Sequence, residues 1–261
     1  MALLTAATID NTTTGLQHAW HPVGPAGTPA PWSLLGRTYG PEHDWCDRFG
    51  LRWVSPAEPR APLPVVADDD DPSMTRIPTD GHVWNAGAAQ MADNFADLGH
   101  LPFIHANSFA DPDDLLVPRL TATVHEHAYS VRYDHTTQRL HSDGIGRRRM
   151  TIDVFAPFSV VLRLEYLDDD AVITTLFAHQ PVDADTTTLW VVLWRNDIED
   201  GRATADGAIA FQRQVAEEDR LIVEALDSNT MNLELTADVH TRADRPTVEL
   251  RRMLTRFLHG H

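Results

Sequence analysis

The sequence has a single cysteine, Cys46, among its 261 residues. One thiol excludes an intramolecular disulfide, a cysteine-based zinc site and any iron–sulfur cluster held by this chain alone. Positive charge is also scarce. The 21 Lys and Arg stand against 38 Asp and Glu, a formal net charge of -17. Duplex nucleic acid and anionic lipid repel such a chain, so neither is expected as a partner. The expected substrate is neutral, or held in a locally screened pocket. No apolar run approaches the length of a membrane span, and there is no repeat and no Gly-rich phosphate loop. The start, MALLTAATIDNTTTG, lacks the basic and apolar regions of a signal peptide, so a cytoplasmic location is expected.

What is present is a hydrophobic fraction of 43%, sufficient for a sizeable core. Residues 1–30 are rich in Thr, Gly, Ala and Pro and read as loosely structured. PAEPRAPLP and ADDDDP read as extended chain; Asp68 to Asp71 are candidate ligands for a hard cation but read better as a solvated loop. The middle of the chain reads as antiparallel strands. TATVHEHAYSVRYD alternates, with a slip near Ala128. MTIDVFAPFSVVLRLEYL and AVITTLFAHQPV flank an acidic turn at Asp168 to Asp170, and TTTLWVVLWRND adds a further strand. The tail is helical, in AIAFQRQVAEEDRLIVEALDS and again from Pro246. Strands followed by helices predict an α+β fold, a curved antiparallel sheet packed on a long C-terminal helix.

Two stretches carry candidate chemistry. In the tail helix, Phe211, Val215, Ile222 and Leu226 form a stripe whose missing member is Asp219. Helical geometry turns that carboxylate toward the core, where it needs a partner such as Arg, a helix N-terminus or a metal. Glu217, Glu218, Arg220 and Glu224 fall on solvated faces. In NFADLGHLPFIH, residues 94–105, His100 and His105 are five apart and point about 140° apart on an ideal helix. They converge if the helix ends or bends, for which Gly99 and Pro102 give a reason. Asn94 and Asp97 precede His100 at steps of three, on one helical face, where Asp97 orients His100 or caps the segment. Two His and a distant carboxylate make a facial triad that suits Fe(II) binding dioxygen and substrate together. Zn(II) on the same ligands would serve hydrolysis.

DNFADLGHLPFIHANSF (93–109) closely resembles the mononuclear-iron motif of Rieske non-haem iron oxygenases, Asn-x2-Asp-x2-His-x4-His. EEDRLIVEALD (217–227) resembles the segment supplying the third ligand, which falls on Asp219. FGLRWVSP (49–56) is similar to the strand after the Rieske domain, and HQPVDADTTTLWVVLWRND (179–197) to late strands of the catalytic domain. The nearest branch is the vanillate O-demethylase and dicamba monooxygenase type. The resemblance covers about residues 45–258, with AWHPV (19–23) and LLGR (34–37) resembling the family's first strand.

The resemblance implies a helix-grip (START/Bet v1-like) catalytic domain over 49–261, after an N-terminal remnant, 1–48, of the region that normally carries the Rieske domain. It implies mononuclear Fe(II) on His100, His105 and Asp219, with Asp97 and Asn94 as further catalytic residues. No [2Fe–2S] cluster is expected here, because only about a dozen residues (YGPEHDWCD) and one Cys stand where two Cys and two His are required. In the family, electrons arrive from a neighbouring subunit's cluster across an Asp in the position of Asp97. A separate Rieske or ferredoxin protein is therefore the expected donor for hydroxylation or demethylation. The alternatives are redox-neutral metal chemistry (an isomerase, cyclase or hydrolase) and non-catalytic small-molecule binding in the same pocket. Full-length relatives form head-to-tail trimers; without a cluster, the reason for a homo-oligomer weakens.

The pocket wall is expected from sheet residues facing the tail helix: Phe155, Phe158, Leu176, Phe177, Trp190 and Trp194. These suit an aromatic or hydrophobic small molecule. His125, His127 and His179 are polar candidates near the sheet. Arg147 to Arg149 form a short basic run that reads as a solvated turn rather than an anion site.

Overall fold

A computed structural model describes residues 7–106, 108, 113 and 115–260, so the start of the expected 1–48 segment and the end of the expected 49–261 segment lie outside the described residues. In chain order the strands are β1 (Thr8–Ile9), β2 (His21–Pro25), β3 (Trp32–Leu34), β4 (Arg37–Tyr39), β5 (Asp44–Arg48), β6 (Leu51–Ser55), β7 (Thr75–Pro78) and β8 (His82–Trp84). There follow β9 (Ala122–Val124), β10 (Ala128–Gln138), β11 (Ile145–Phe155), β12 (Ser159–Tyr166), β13 (Ala171–Pro181), β14 (Thr187–Arg195) and β15 (Met231–Asn232). The helices are α1 (Ala88–Ala96), α2 (Leu101–Ile104), α3 (Ala205–Val223) and α4 (Arg245–His259).

The body is an eight-stranded antiparallel sheet in the order β7-β14-β13-β12-β11-β10-β9, with β8 also paired to β14. The α+β architecture is as the strand-then-helix pattern predicts. The slip near Ala128 is a turn: His125 N donates to Ala128 O at 2.8 Å, closing the β9–β10 hairpin. The acidic turn at Asp168 to Asp170 joins β12 to β13 as expected. The long apolar run before it is two strands, β11 and β12, because Ala156-Pro157-Phe158 interrupts the ladder.

The sheet is covered on both faces. On the inner face, α1 brings Ala88, Ala92 and Ala96, small residues that allow close approach, and Phe95, whose ring stacks on Phe177 at 4.2 Å. α4 buries Leu250, Met253, Leu254 and Phe257 on the same face and ends at Gly260, whose φ of 71° suits a left-handed cap. On the outer face, Phe49, Leu51 and Trp53 pack against Val161, Leu176, Ala178, Val192 and Trp194. This double cover is why β13 and β14 read as nearly continuous apolar runs.

The N-terminal part is woven into the body. β2 and β5 both pair with β6, so the expected boundary at residue 48 falls inside a hairpin. Residues 7–30 are also more ordered than their composition suggests. Ile9, Asn11 and Leu16 are fully buried, and β1 pairs with β15. The Asn11 amide donates to Asp183 O, Thr186 O and Thr187 Oγ1 and accepts from Ala88 N, tying the N-terminus to α1. Among the described residues no helix is long and apolar enough to cross a membrane.

Candidate metal centre

The centre begins where α1 stops. Asp97 takes an extended backbone (φ -74, ψ 147) and ends the helix. Its carboxylate accepts from the backbone N of Gly99 at 3.1 Å and of His100 at 2.9 Å, and from His100 Nδ1 at 3.1 Å. One turn of helix follows, α2, with Pro102 at its start, and His105 stands at its end. Thus the two histidines flank a break, as Gly99 and Pro102 predict. Asp97 does not continue a helical face from Asn94, because α1 has already ended; it both caps the segment and orients His100.

The third member comes from α3. Thr204 Oγ1 caps that helix by accepting from Gly207 N at 3.1 Å. The helix buries Ala208, Gln212, Val215, Ala216, Asp219 and Val223. Asp219 faces inward as its spacing predicts. The apolar stripe itself is rotated, because Phe211 (41% exposed) and Leu226 (49% exposed) lie outside. His100 Nε2 lies 3.4 Å from Asp219 Oδ1, His105 Nε2 lies 3.2 Å from the same oxygen, and the two Nε2 atoms are 3.3 Å apart. Asn94 Nδ2 donates to Asp219 Oδ1 at 2.9 Å and fixes that carboxylate from α1.

Each imidazole is turned by a carboxylate behind it. His100 Nδ1 faces Asp97, and His105 Nδ1 donates to Glu218 Oε2 at 2.8 Å. Both Nε2 lone pairs are thereby directed into the triangle. Two nitrogen acceptors and an anionic oxygen at such separations repel unless a cation lies among them. Burial alone would lower the His100 pKa, but Asp219 and Asp97 push it up to about 9. Asp219 is held down at about 2: burial opposes its ionisation, and the imidazoles of His100 and His105 beside it outweigh that. Glu218 and Asp97 are also held below the usual carboxylate range, against burial, by the histidines and backbone amides they accept from. His100, His105 and Asp219 each present one ligand atom, all within 4.8 Å of one another. The centre of the triangle is about 1.9 Å from its corners, close to the roughly 2.0–2.2 Å that His and carboxylate ligands keep from a first-row divalent ion. The donor set therefore fits such an ion.

The family model for the vanillate O-demethylase oxygenase C-terminal domain matches residues 84–259. The chain belongs to this family. The family is the catalytic domain of Rieske oxygenases, and its members are oxidoreductases. Among solved structures, Pseudomonas putida CBB5 NdmA with caffeine superposes with a TM-score of 0.77 at 17% identity, over 94% of this chain and 92% of that one. NdmB from the same organism gives 0.77 at 18%, over 94% and 91%. Dicamba monooxygenase bound to dicamba gives 0.66 at 15%, over 91% and 75%. No curated protein sequence matches the chain.

The triad opens into a cavity of about 280 Å³. Phe95, Ile152, Leu162, Ile173, Phe177 and Leu193 line it, with His100, His105 and Asp219 in its wall. Of the expected wall residues, Phe177 is in place. Phe155, Leu176, Trp190 and Trp194 are on the opposite face of the sheet, under the N-terminal strands, because the inward positions of β13 and β14 are the odd ones at 173, 175, 177, 193 and 195. Trp194 Nε1 donates to Asp69 Oδ1 and Trp190 Nε1 to Gln180 Oε1, partners far from the triad. Phe158 is buried in the main core at the β11–β12 turn and does not line the cavity.

Sequence reading missed two residues of this region. Glu218 is not solvated; it accepts from His105 and from Ser108 Oγ at 2.8 Å. The EED run held the signal, since a helix that turns Asp219 inward leaves its predecessor at the edge of the same face. Arg148 is not in a turn; it is an inward position of β11, 2% exposed, and it lines the cavity. Alternation from Met150 and Ile152 would have found it. Arg147 and Arg149 point outward to Asp168 and Asp134. His179 is wholly buried with Nδ1 on Phe158 O, His125 is exposed, and His127 packs its ring edge-on to Phe257. Asp68 and Asp69 are not a solvated cation loop: Asp68 meets Arg163 and Thr174, and Asp69 meets Arg76.

Proposed function

We propose that the chain is a cytoplasmic mononuclear non-haem Fe(II) oxygenase that hydroxylates or demethylates an aromatic or hydrophobic small molecule. The observation that carries this reading is the convergence of His100, His105 and Asp219 within 4.8 Å at the wall of an apolar cavity. The triad is the ligand set of Fe(II) sites with open positions, and the bound iron supplies dioxygen activation. Phe95 and Phe177 present flat apolar surface to the substrate and keep water from it. Asn94 holds Asp219, Glu218 holds His105 and Asp97 holds His100. NdmA with caffeine and dicamba monooxygenase with dicamba are relatives in fold that take ring-shaped molecules, which supports an aromatic substrate here.

Insertion of one oxygen atom into a C–H bond also consumes two electrons and two protons, and releases one water. With one cysteine, this chain does not hold a Rieske cluster, so a separate Rieske or ferredoxin-type protein supplies the electrons. Asp97 accepts from His100 and is 24% exposed, which supports a path for electrons from a docked donor through Asp97 to the triad. Asp97→Asn tests this. Turnover with a reconstituted donor should fall about tenfold or more while iron content is retained. Unchanged turnover contradicts electron delivery through Asp97 and favours redox-neutral chemistry.

A further inference from the structure

α1 carries Asn94 to the triad, so the seating of α1 decides whether that amide reaches Asp219. The helix has only nine residues, and four of its six buried ones are Ala88, Ala89, Ala92 and Ala96. A helix this short is marginal alone and is held by its tertiary contacts. Small side chains let it approach the sheet closely but give few steric stops against turning about its axis. Asn94 Nδ2 stands 2.9 Å from Asp219 Oδ1. Side-chain tips lie about 5–6 Å from a helix axis, so a turn of about 10° moves one by about 1 Å and breaks such a bond.

The preceding residue supplies the stop. Asp93 projects about 100° round the helix from Asn94, toward α4. There Arg251 Nη1 donates to both carboxylate oxygens, at 3.0 and 3.2 Å. The same nitrogen donates to Thr247 O at 3.1 Å, which ties the guanidinium to its own helix. α4 is firmly seated in turn: Leu250, Met253, Leu254 and Phe257 are buried, and Arg60 donates to Phe257 O and Leu258 O. The ion pair is largely withdrawn from water, with Arg251 10% and Asp93 24% exposed. Burial pushes the Asp93 carboxyl up to about 6, Asp97 and Asp238 push the same way, and Arg251 opposes them.

We propose that Arg251 is a positioning residue for the metal centre. Through its ion pair with Asp93 it fixes the rotation of α1, and so keeps the Asn94 amide on Asp219, from a helix that supplies none of the three ligands. This deepens the oxygenase reading and rests on the triad being its metal site. α1 is thereby set from two sides: Asp93 is gripped by α4, and Asn94 delivers the result to α3.

The ion pair is removed as a unit, because Arg251→Met alone would strand a carboxylate away from water. In Asp93→Leu/Arg251→Met both charges give way to apolar side chains, a change that commonly leaves stability about as it was. Fe(II) affinity is read anaerobically by chelator competition, with each variant shown folded by circular dichroism. It should fall about fivefold or more in the paired variant and about tenfold or more in Asn94→Ala. Added to Asn94→Ala, the paired replacement should weaken Fe(II) no further, since its effect passes through that amide. Arg251→Lys keeps one cationic nitrogen toward Asp93 and should retain most of the affinity. The side-chain amide signals of Asn94, in proton–nitrogen correlation spectra of the metal-free chain, report the same bond without iron. Identified by their absence in Asn94→Ala, they should move toward free-amide positions in the paired variant and stay in place in Arg251→Lys. Unmoved Asn94 signals, unchanged affinity in the paired variant, or losses that add in the combined variant overturn the proposal. An unmodified chain that binds no iron refutes the oxygenase reading instead, and the Asn94 signals still decide this one.

Discussion

Glu218 Oε2 accepts a hydrogen bond from His105 Nδ1 at 2.8 Å, while the next residue, Asp219, presents Oδ1 to Nε2 of the same ring at 3.2 Å. Two consecutive carboxylates thus grip one imidazole from both sides. The first sets the tautomer that leaves the Nε2 lone pair facing the second, as two ligands of one cation require.

Glu218→Ala is accordingly expected to weaken metal binding about 10–100-fold, with little effect on folding, since the Glu218 side chain is 22% exposed. Competition titration against a chelator reads this directly. Unchanged affinity would mean that His105 is oriented by packing alone.

The two faces of the sheet make a second prediction. Trp194 is 1% exposed and packs edge-on to Phe49 at 5.9 Å on the outer face. Trp194→Leu should cost about 2–4 kcal/mol in urea unfolding yet leave ligand affinity unchanged. A large change in affinity with no loss of stability would place that side chain in the substrate site.

Acid sensitivity follows from two buried histidines away from the triad. Burial lowers the pKa of His21 and of His179 to about 4, against one backbone hydrogen bond each that favours the charged form. The unfolded chain therefore takes up protons first as pH falls below about 6.5. This stabilisation is complete above about 6.5, is lost as pH falls toward 4, and amounts to an upper bound on the order of 3 kcal/mol per residue. His21→Gln and His179→Asn keep a donor toward Leu16 O and Phe158 O, and the double variant should lose clearly less stability between pH 7 and 4.5. An identical loss in both proteins would assign the acid transition to other groups.

Much of the fold was legible because its signals are local. The Asp168 to Asp170 turn, the alternation of β10 and the first-turn Pro246 each act within a few residues. The inward turn of Asp219 was legible for the same reason: helical spacing sets direction even where the stripe beside it was misread. What escaped depends on contacts distant in sequence. Trp190 and Trp194 have the composition of a ligand wall, and only the docking of Phe49, Leu51 and Trp53 decides that they face a second core. The burial of Asn11 depends on Asp183, Thr186 and Thr187, more than 170 residues away in the chain. Arg148 was hidden by its neighbours, since two outward arginines on either side of an inward one look like a single solvated run.

Asp219→Ala, assayed for iron by elemental analysis after anaerobic loading, tests the central claim most directly. The unmodified chain should retain about one Fe(II), and the variant close to none, because two imidazoles without the carboxylate make a poor site for a hard divalent ion. A folded variant that keeps its full complement of iron would contradict the assignment of the triad.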